Sequence, residues 1–257
     1  MYKFLSVVSL ILCFVVVTFG AYVRLTDAGL GCPDWPGCYG ELTPKQAADD
    51  IAAAVAQNPT GPVTMQKAWN EMNHRYIAGI LGILILAMAV LSWFDRHPRE
   101  IPRWFPTFLG CVVVVQALFG KWTVTLLLKP AIVTGHLIGG MLIFTLLAWQ
   151  VVRLFGSKKQ ANFRLRSLAT LASLAVAIQI ALGGWVSTNY AALACTDFPK
   201  CHGQWKPGNM DFEHGFTIVR PLGKTKAGDA LSRESLDAIH WTHRVGALLV
   251  TFVVGAL

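Results

Sequence analysis

Val23-Arg24-Leu25-Thr26-Asp27-Ala28-Gly29-Leu30-Gly31-Cys32-Pro33-Asp34-Trp35-Pro36-Gly37-Cys38-Tyr39-Gly40 returns 163 positions later. The second copy reads Val186-Ser187-Thr188-Asn189-Tyr190-Ala191-Ala192-Leu193-Ala194-Cys195-Thr196-Asp197-Phe198-Pro199-Lys200-Cys201-His202-Gly203. Valine, alanine, leucine, both cysteines, aspartate, proline and glycine recur in register, and an aromatic residue follows the aspartate each time. Asn73-His74-Arg75 is echoed by Thr242-His243-Arg244, now 169 positions on because the second loop is longer. A duplicated unit with one histidine at the same place in each copy predicts two similar binding sites.

The chain around this repeat is too apolar for an ordinary soluble domain: 54% of its 257 residues are hydrophobic and 14% charged. Apolar runs at Leu5–Val23, Tyr76–Trp93, Thr107–Leu128, Ala131–Val152, Leu168–Val186 and His240–Leu257 each approach the roughly 20 residues that cross a bilayer as a helix. The expected fold is an all-α polytopic membrane protein made of two homologous four-helix bundles, residues 1–155 and 156–257. Six spans are predicted of an expected eight, and the last run stops at Leu257 without a basic flank, so the second bundle reads as incomplete.

Arg96, Arg99 and Arg103 in one short loop, and Arg153, Lys158, Lys159, Arg164 and Arg166 in another, place those loops inside. The amino terminus is then cytoplasmic and the cysteine-bearing loops periplasmic. The net charge of +8 is mostly this topology signal, and no soluble basic face for nucleic acid is present. The first run is no cleaved signal, because the residues after it match those after the fifth run. Between spans, Thr43-Pro44-Lys45-Gln46 predicts a capping box before an Ala-rich surface helix ended by Asn58-Pro59. A further helix is predicted to start near Thr64.

Cys32 and Cys38, and likewise Cys195 and Cys201, lie in Pro- and Gly-punctuated outer loops. In an oxidising compartment two loop-local disulfides are the natural reading, as staples or as redox-active pairs, with zinc as the third alternative. Cys13 and Cys111 sit inside spans as apolar filler. His74 and His136 open descending spans at similar depth, with Gly79, Gly82, Gly135, Gly139 and Gly140 nearby. Two such imidazoles can form an axial pair for heme iron; the competing role is hydrogen bonding between helices. Glu71 precedes His74 by one helical turn and shares its face, whereas the corresponding place before His243 holds His240. An acid there can move protons or stabilise developing positive charge, or simply face interfacial water. Arg24, Arg75 and Arg244 are candidates for propionate contacts or for snorkelling. His97, His202 and His214 receive no role.

Cys-Pro-Asp-Trp-Pro-Gly-Cys (32–38), Glu-Met-Asn-His-Arg (71–75), Gly-His-Leu-Ile-Gly-Gly (135–140), Cys-Thr-Asp-Phe-Pro-Lys-Cys (195–201) and Ile-His-Trp-Thr-His-Arg (239–244) occur in order. With them the chain resembles the heme A synthase family, and the long second loop is similar to its proteobacterial and mitochondrial branch. The resemblance implies oxidation of the C8 methyl of heme O to a formyl group by successive hydroxylations, giving heme A for terminal oxidase assembly. It implies His74 and His136 as substrate iron ligands, Glu71 as the catalytic carboxylate, and His243 as one ligand of a resident heme b. It also implies disulfides Cys32–Cys38 and Cys195–Cys201. Heme O synthase, oxidase assembly factors and a membrane electron acceptor or donor are the implied partners, with a homo-oligomer left open. Two other classes stand beside this one: a diheme b-type membrane electron carrier, and a membrane thiol oxidase. The expected location is a bacterial inner membrane.

Overall fold

The computed structural model describes residues 1–94, 100–156 and 162–257. Arg96, His97, Arg99, Lys158 and Lys159, used above, lie outside the described residues. The described residues form eight helices: α1 (Tyr2–Leu25), α2 (Ala48–Gln57), α3 (Met65–Leu91), α4 (Trp104–Thr125), α5 (Pro130–Phe155), α6 (Phe163–Thr188), α7 (Phe212–Gly215) and α8 (Arg233–Gly255).

Local chemistry sets most of their ends. Thr64 caps α3 by accepting the Lys67 N–H at 3.2 Å, Asn162 caps α6 by accepting from Leu165 at 2.8 Å, and Ser232 caps α8 by accepting from Ser235 at 3.2 Å. Thr43 and Gln46 form the expected reciprocal box: Thr43 N–H donates to Gln46 Oε1 at 3.1 Å, and Gln46 N–H donates to Thr43 Oγ1 at 3.4 Å. Helix α2 itself starts only at Ala48, because the box closes a separate turn first.

Five helices, α1, α3, α4, α5 and α6, are long and apolar enough to cross a membrane, and the chain is a multi-pass membrane protein of the expected all-α class. The sixth predicted span corresponds to α8, which does not reach that apolarity. Arg233, Glu234, Asp237, His240, His243 and Arg244 make its first half polar.

Two compact units divide the chain: residues 1–128 with 139–157, and residues 129–138 with 158–257. In the first, α3 packs against both α1 and α4. Its core joins Leu81, Ile85 and Met88 of α3 to Phe105 and Leu109 of α4 and to Ile143 and Leu147 of α5. A polar contact crosses this core: Gln150 Nε2 donates to Ser6 Oγ at 2.7 Å, and both residues are fully buried. A second cluster, Cys32, Cys38, Ala47, Ile51, Ala68 and Met72, fastens the disulfide loop and α2 to the start of α3. In the second unit α8 packs on α6 and α7, around Trp185, Val186, Ala191 and Ile239.

The repeat persists at the level of single bonds. After α1, Ala28 N–H donates to Val23 at 2.9 Å and Asp27 takes a φ of 53°. After α6, Ala191 N–H donates to Val186 at 3.0 Å and Tyr190 takes a φ of 54°. Both are left-handed helix terminations, which turn the chain sharply and bury Ala28 and Ala191. Each cysteine loop then closes through a turn with two positive φ values, Tyr39-Gly40 and His202-Gly203. Glycine meets that demand at the second position of each turn.

Candidate functional site

Each copy holds its cysteine loop against a helix through three groups. In the first, the Cys32–Cys38 disulfide is formed, and the Cys32 N–H donates to Glu71 Oε2 at 2.8 Å. Glu71 is 5% exposed and pairs through Oε1 with the Arg75 guanidinium. Arg75 Nη1 donates onward to the carbonyls of Asp34 at 2.8 Å and Gly37 at 2.6 Å. The carboxylate and guanidinium of neighbouring turns of α3 thus clamp the loop by charge-assisted bonds. Close approach is allowed by Gly31, where a Cβ would lie 2.5 Å from the Lys67 backbone.

The second copy repeats this frame with one substitution. Cys195–Cys201 is bonded, and Arg244 Nη1 donates to the carbonyls of Asp197 at 2.6 Å and Lys200 at 2.7 Å. His240 stands in the place of Glu71: its Nδ1 accepts from Cys195 N–H at 3.1 Å, and its Nε2 lies 3.1 Å from Arg244 Nε. A carboxylate has lone pairs for both donors, whereas a neutral imidazole has one acceptor nitrogen and satisfies only one of them. The two niches are alike in shape and different in charge.

Below each niche lies the repeated histidine. His74 rests on α1 at Gly20, where a Cβ would stand 2.9 Å from its Nε2. His243 rests on α6 at Gly183, where a Cβ would lie 3.2 Å from Cε1. Gln179 Nε2 lies 2.9 Å from its Nδ1. Gly20 and Gly183 keep the 163-position register, a signal present in the sequence whose meaning depends on the helix pairing. Gly20→Val should push the His74 ring away from α1, since the added side chain would occupy the space beside its Nε2. It should also weaken heme binding, read from the Soret absorbance of the purified chain.

The remaining predicted residues are placed as follows. His136 lies on α5 among the residues of the second unit, whereas His74 belongs to the first, so their pairing rests on the sequence. Two residues before His136, the Thr134 hydroxyl lies 3.3 Å from that of Thr188. Arg24 pairs with Asp27 at 3.3 Å at the exposed end of α1. Cys13 is a buried free thiol and Cys111 an exposed one. His202 Nε2 lies 3.0 Å from both carboxylate oxygens of Asp237, and His214 Nδ1 lies 2.8 Å from Asp211.

Asp34 and Asp197 organise the loops and were not legible as doing so. Asp34 accepts from the N–H groups of Tyr39 and Gly40, both at 2.7 Å. Asp197 accepts from Gly203 at 2.9 Å and His202 at 2.6 Å, and these N–H groups, Gly203 first, hold its carboxyl below the usual aspartate value. Because the folded value is the lower one, this support is complete above the unfolded pKa and is lost as pH falls through the folded value. The second loop should therefore keep its shape down to about pH 4 and loosen below it. A carbon-13 titration that put the Asp197 midpoint at or above that of ordinary aspartate would contradict this.

The model of the family COX15-CtaA, described as cytochrome oxidase assembly protein, matches residues 3–257. The heme A synthase of Shewanella oneidensis is 39% identical over 247 residues, which are 94% of this chain and 73% of that protein. The heme A synthase of Shouchella clausii is 26% identical over 80% of this chain and 65% of its own length. That of Alkalihalophilus pseudofirmus is 26% identical over 98% and 74%. With its repeated cysteine loops and histidines on one helical frame, the chain belongs to the heme A synthase family of cytochrome oxidase assembly proteins.

Proposed function

We propose that this heme A synthase oxidises the C8 methyl of heme O to a formyl group by successive hydroxylations. His74 and His136 are the ligands of the substrate iron, and His243 is a ligand of a resident heme b in the second unit. The cysteine loops face the periplasm of a bacterial inner membrane. The observation that carries the reading is the acid–imidazole exchange within one repeated frame. A bundle built only to pass electrons between two hemes needs no such asymmetry, whereas one reacting half and one electron-transfer half do.

The donor set fits heme. A ligating imidazole characteristically hydrogen-bonds through its other ring nitrogen to a carbonyl or amide partner, and His243 has an amide beside its Nδ1 in Gln179. Gly20 and Gly183 leave no side chain between each ring and its supporting helix. When bound, heme iron supplies the oxidising chemistry that side chains lack. Glu71 is held by Cys32 and Arg75 in one orientation, and its remaining lone pairs can accept a proton or face positive charge on the substrate. Of the proposed propionate contacts, Arg75 and Arg244 already donate to loop carbonyls and Arg24 pairs with Asp27.

Extraction of pigments from the full chain tests the function. Heme O and heme A species beside heme b are expected; heme b alone would establish the electron carrier instead. Replacing Cys32 and Cys38 should impair a heme enzyme and would abolish a thiol oxidase outright.

A further inference from the structure

The two histidines sit on equivalent glycines but have different residues one turn below. Position 16 in the first copy corresponds to Gln179 in the second, and position 77 corresponds to Gly246. Val16 and Ile77 are both aliphatic, so the first copy has no side-chain amide at that place. The second copy replaces this pair by a glutamine and a glycine. The glycine is required by the glutamine: a Cβ at Gly246 would lie 2.3 Å from Gln179 Oε1. The amide reaches the ring at 2.9 Å and the His243 carbonyl at 3.0 Å, while its oxygen is buried with no hydrogen-bond partner.

A side-chain amide can present either end to an imidazole by a half-turn. With nitrogen towards the ring, Nδ1 accepts and Nε2 carries the proton, so Nε2 is closed to a metal. With oxygen towards the ring, Nδ1 carries the proton and the Nε2 lone pair is open, and the amide gives up its bond to the His243 carbonyl in exchange. We propose that Gln179 is the positioning residue that selects the metal-binding tautomer of His243, its Oε1 accepting from Nδ1–H in the heme-loaded protein. This rests on the reading of His243 as a ligand of the resident heme.

The test uses the full chain loaded with heme, with bound heme b per protein, the low-spin electron paramagnetic resonance signal and the midpoint potential as readouts. Gln179→Leu should retain heme about 10–100-fold less tightly, the usual effect of removing a ligand's outer partner. Gln179→Glu, nearly isosteric and an acceptor only, should keep heme and shift the potential downward, because a carboxylate pulls harder on the Nδ1 proton. Unchanged heme retention, g-values and potential in both variants would overturn the proposal. Should the leucine protein fail to fold, the potential of the glutamate protein decides alone. His243→Ala separates the two claims: undiminished low-spin heme b in that variant would remove His243 as a ligand, whatever Gln179 does.

Discussion

Glu71→Gln is expected to keep heme O bound and to reduce heme A formation by about two to four orders of magnitude, the range for loss of a positioned acid–base group. Glutamine has the same length, and its amide oxygen can still accept from Cys32 N–H, so the loop contact survives. Arg75 keeps its bonds to the Asp34 and Gly37 carbonyls. What disappears is the negative charge, with the ion pair it makes to Arg75, and the ability to take up a proton. Glu71→Asp keeps the charge but withdraws it by one methylene and should fall between the two. Quantifying heme O and heme A extracted from the variant is the measurement. A glutamine protein making heme A at full rate would end the catalytic role of Glu71. One that loses heme O together with activity would leave Glu71 as a loop clamp.

Arg75→Ala is the change expected to harm stability most. Its guanidinium and the Glu71 carboxylate are only 12% and 6% exposed, and its removal strands a buried anion and two loop carbonyls. Breaking a buried pair from one side costs about 3–5 kcal/mol. The melting temperature in detergent should fall clearly, and the Cys32–Cys38 bridge should become accessible to a reductant. Arg75→Lys should recover part of the loss, since an ammonium cannot serve carboxylate and carbonyls with the planar fork of arginine. Arg244→Ala should cost less, about 1–3 kcal/mol, because the partner it leaves is an imidazole rather than a carboxylate. Equal losses from the two alanine variants would show that the charge difference between the niches has no energetic weight.

Much of this frame was readable before any coordinates. The apolar runs, the cap at Thr64 and the box at Thr43 and Gln46 are local features, set by residues a few positions apart. So was the pairing of each cysteine with its neighbour six residues away. The sixth span shows the limit of that approach. The run from His240 to Leu257 is apolar only in its second half, and the helix starts earlier, at Arg233, through residues that carry charge. A helix chosen by cap and packing need not coincide with the hydrophobic stretch it contains.

By itself the sequence determined that the chain is helical, membrane-spanning, duplicated, and unequal at Glu71 and His240, because periodicity, caps and repeats are properties of order along the chain. Only the tertiary structure decided that Cys32 meets Glu71 and that Gln179 meets His243, pairs 39 and 64 residues apart. Such meetings depend on which helix faces pack and how closely glycines let them approach, and no local pattern encodes that distance.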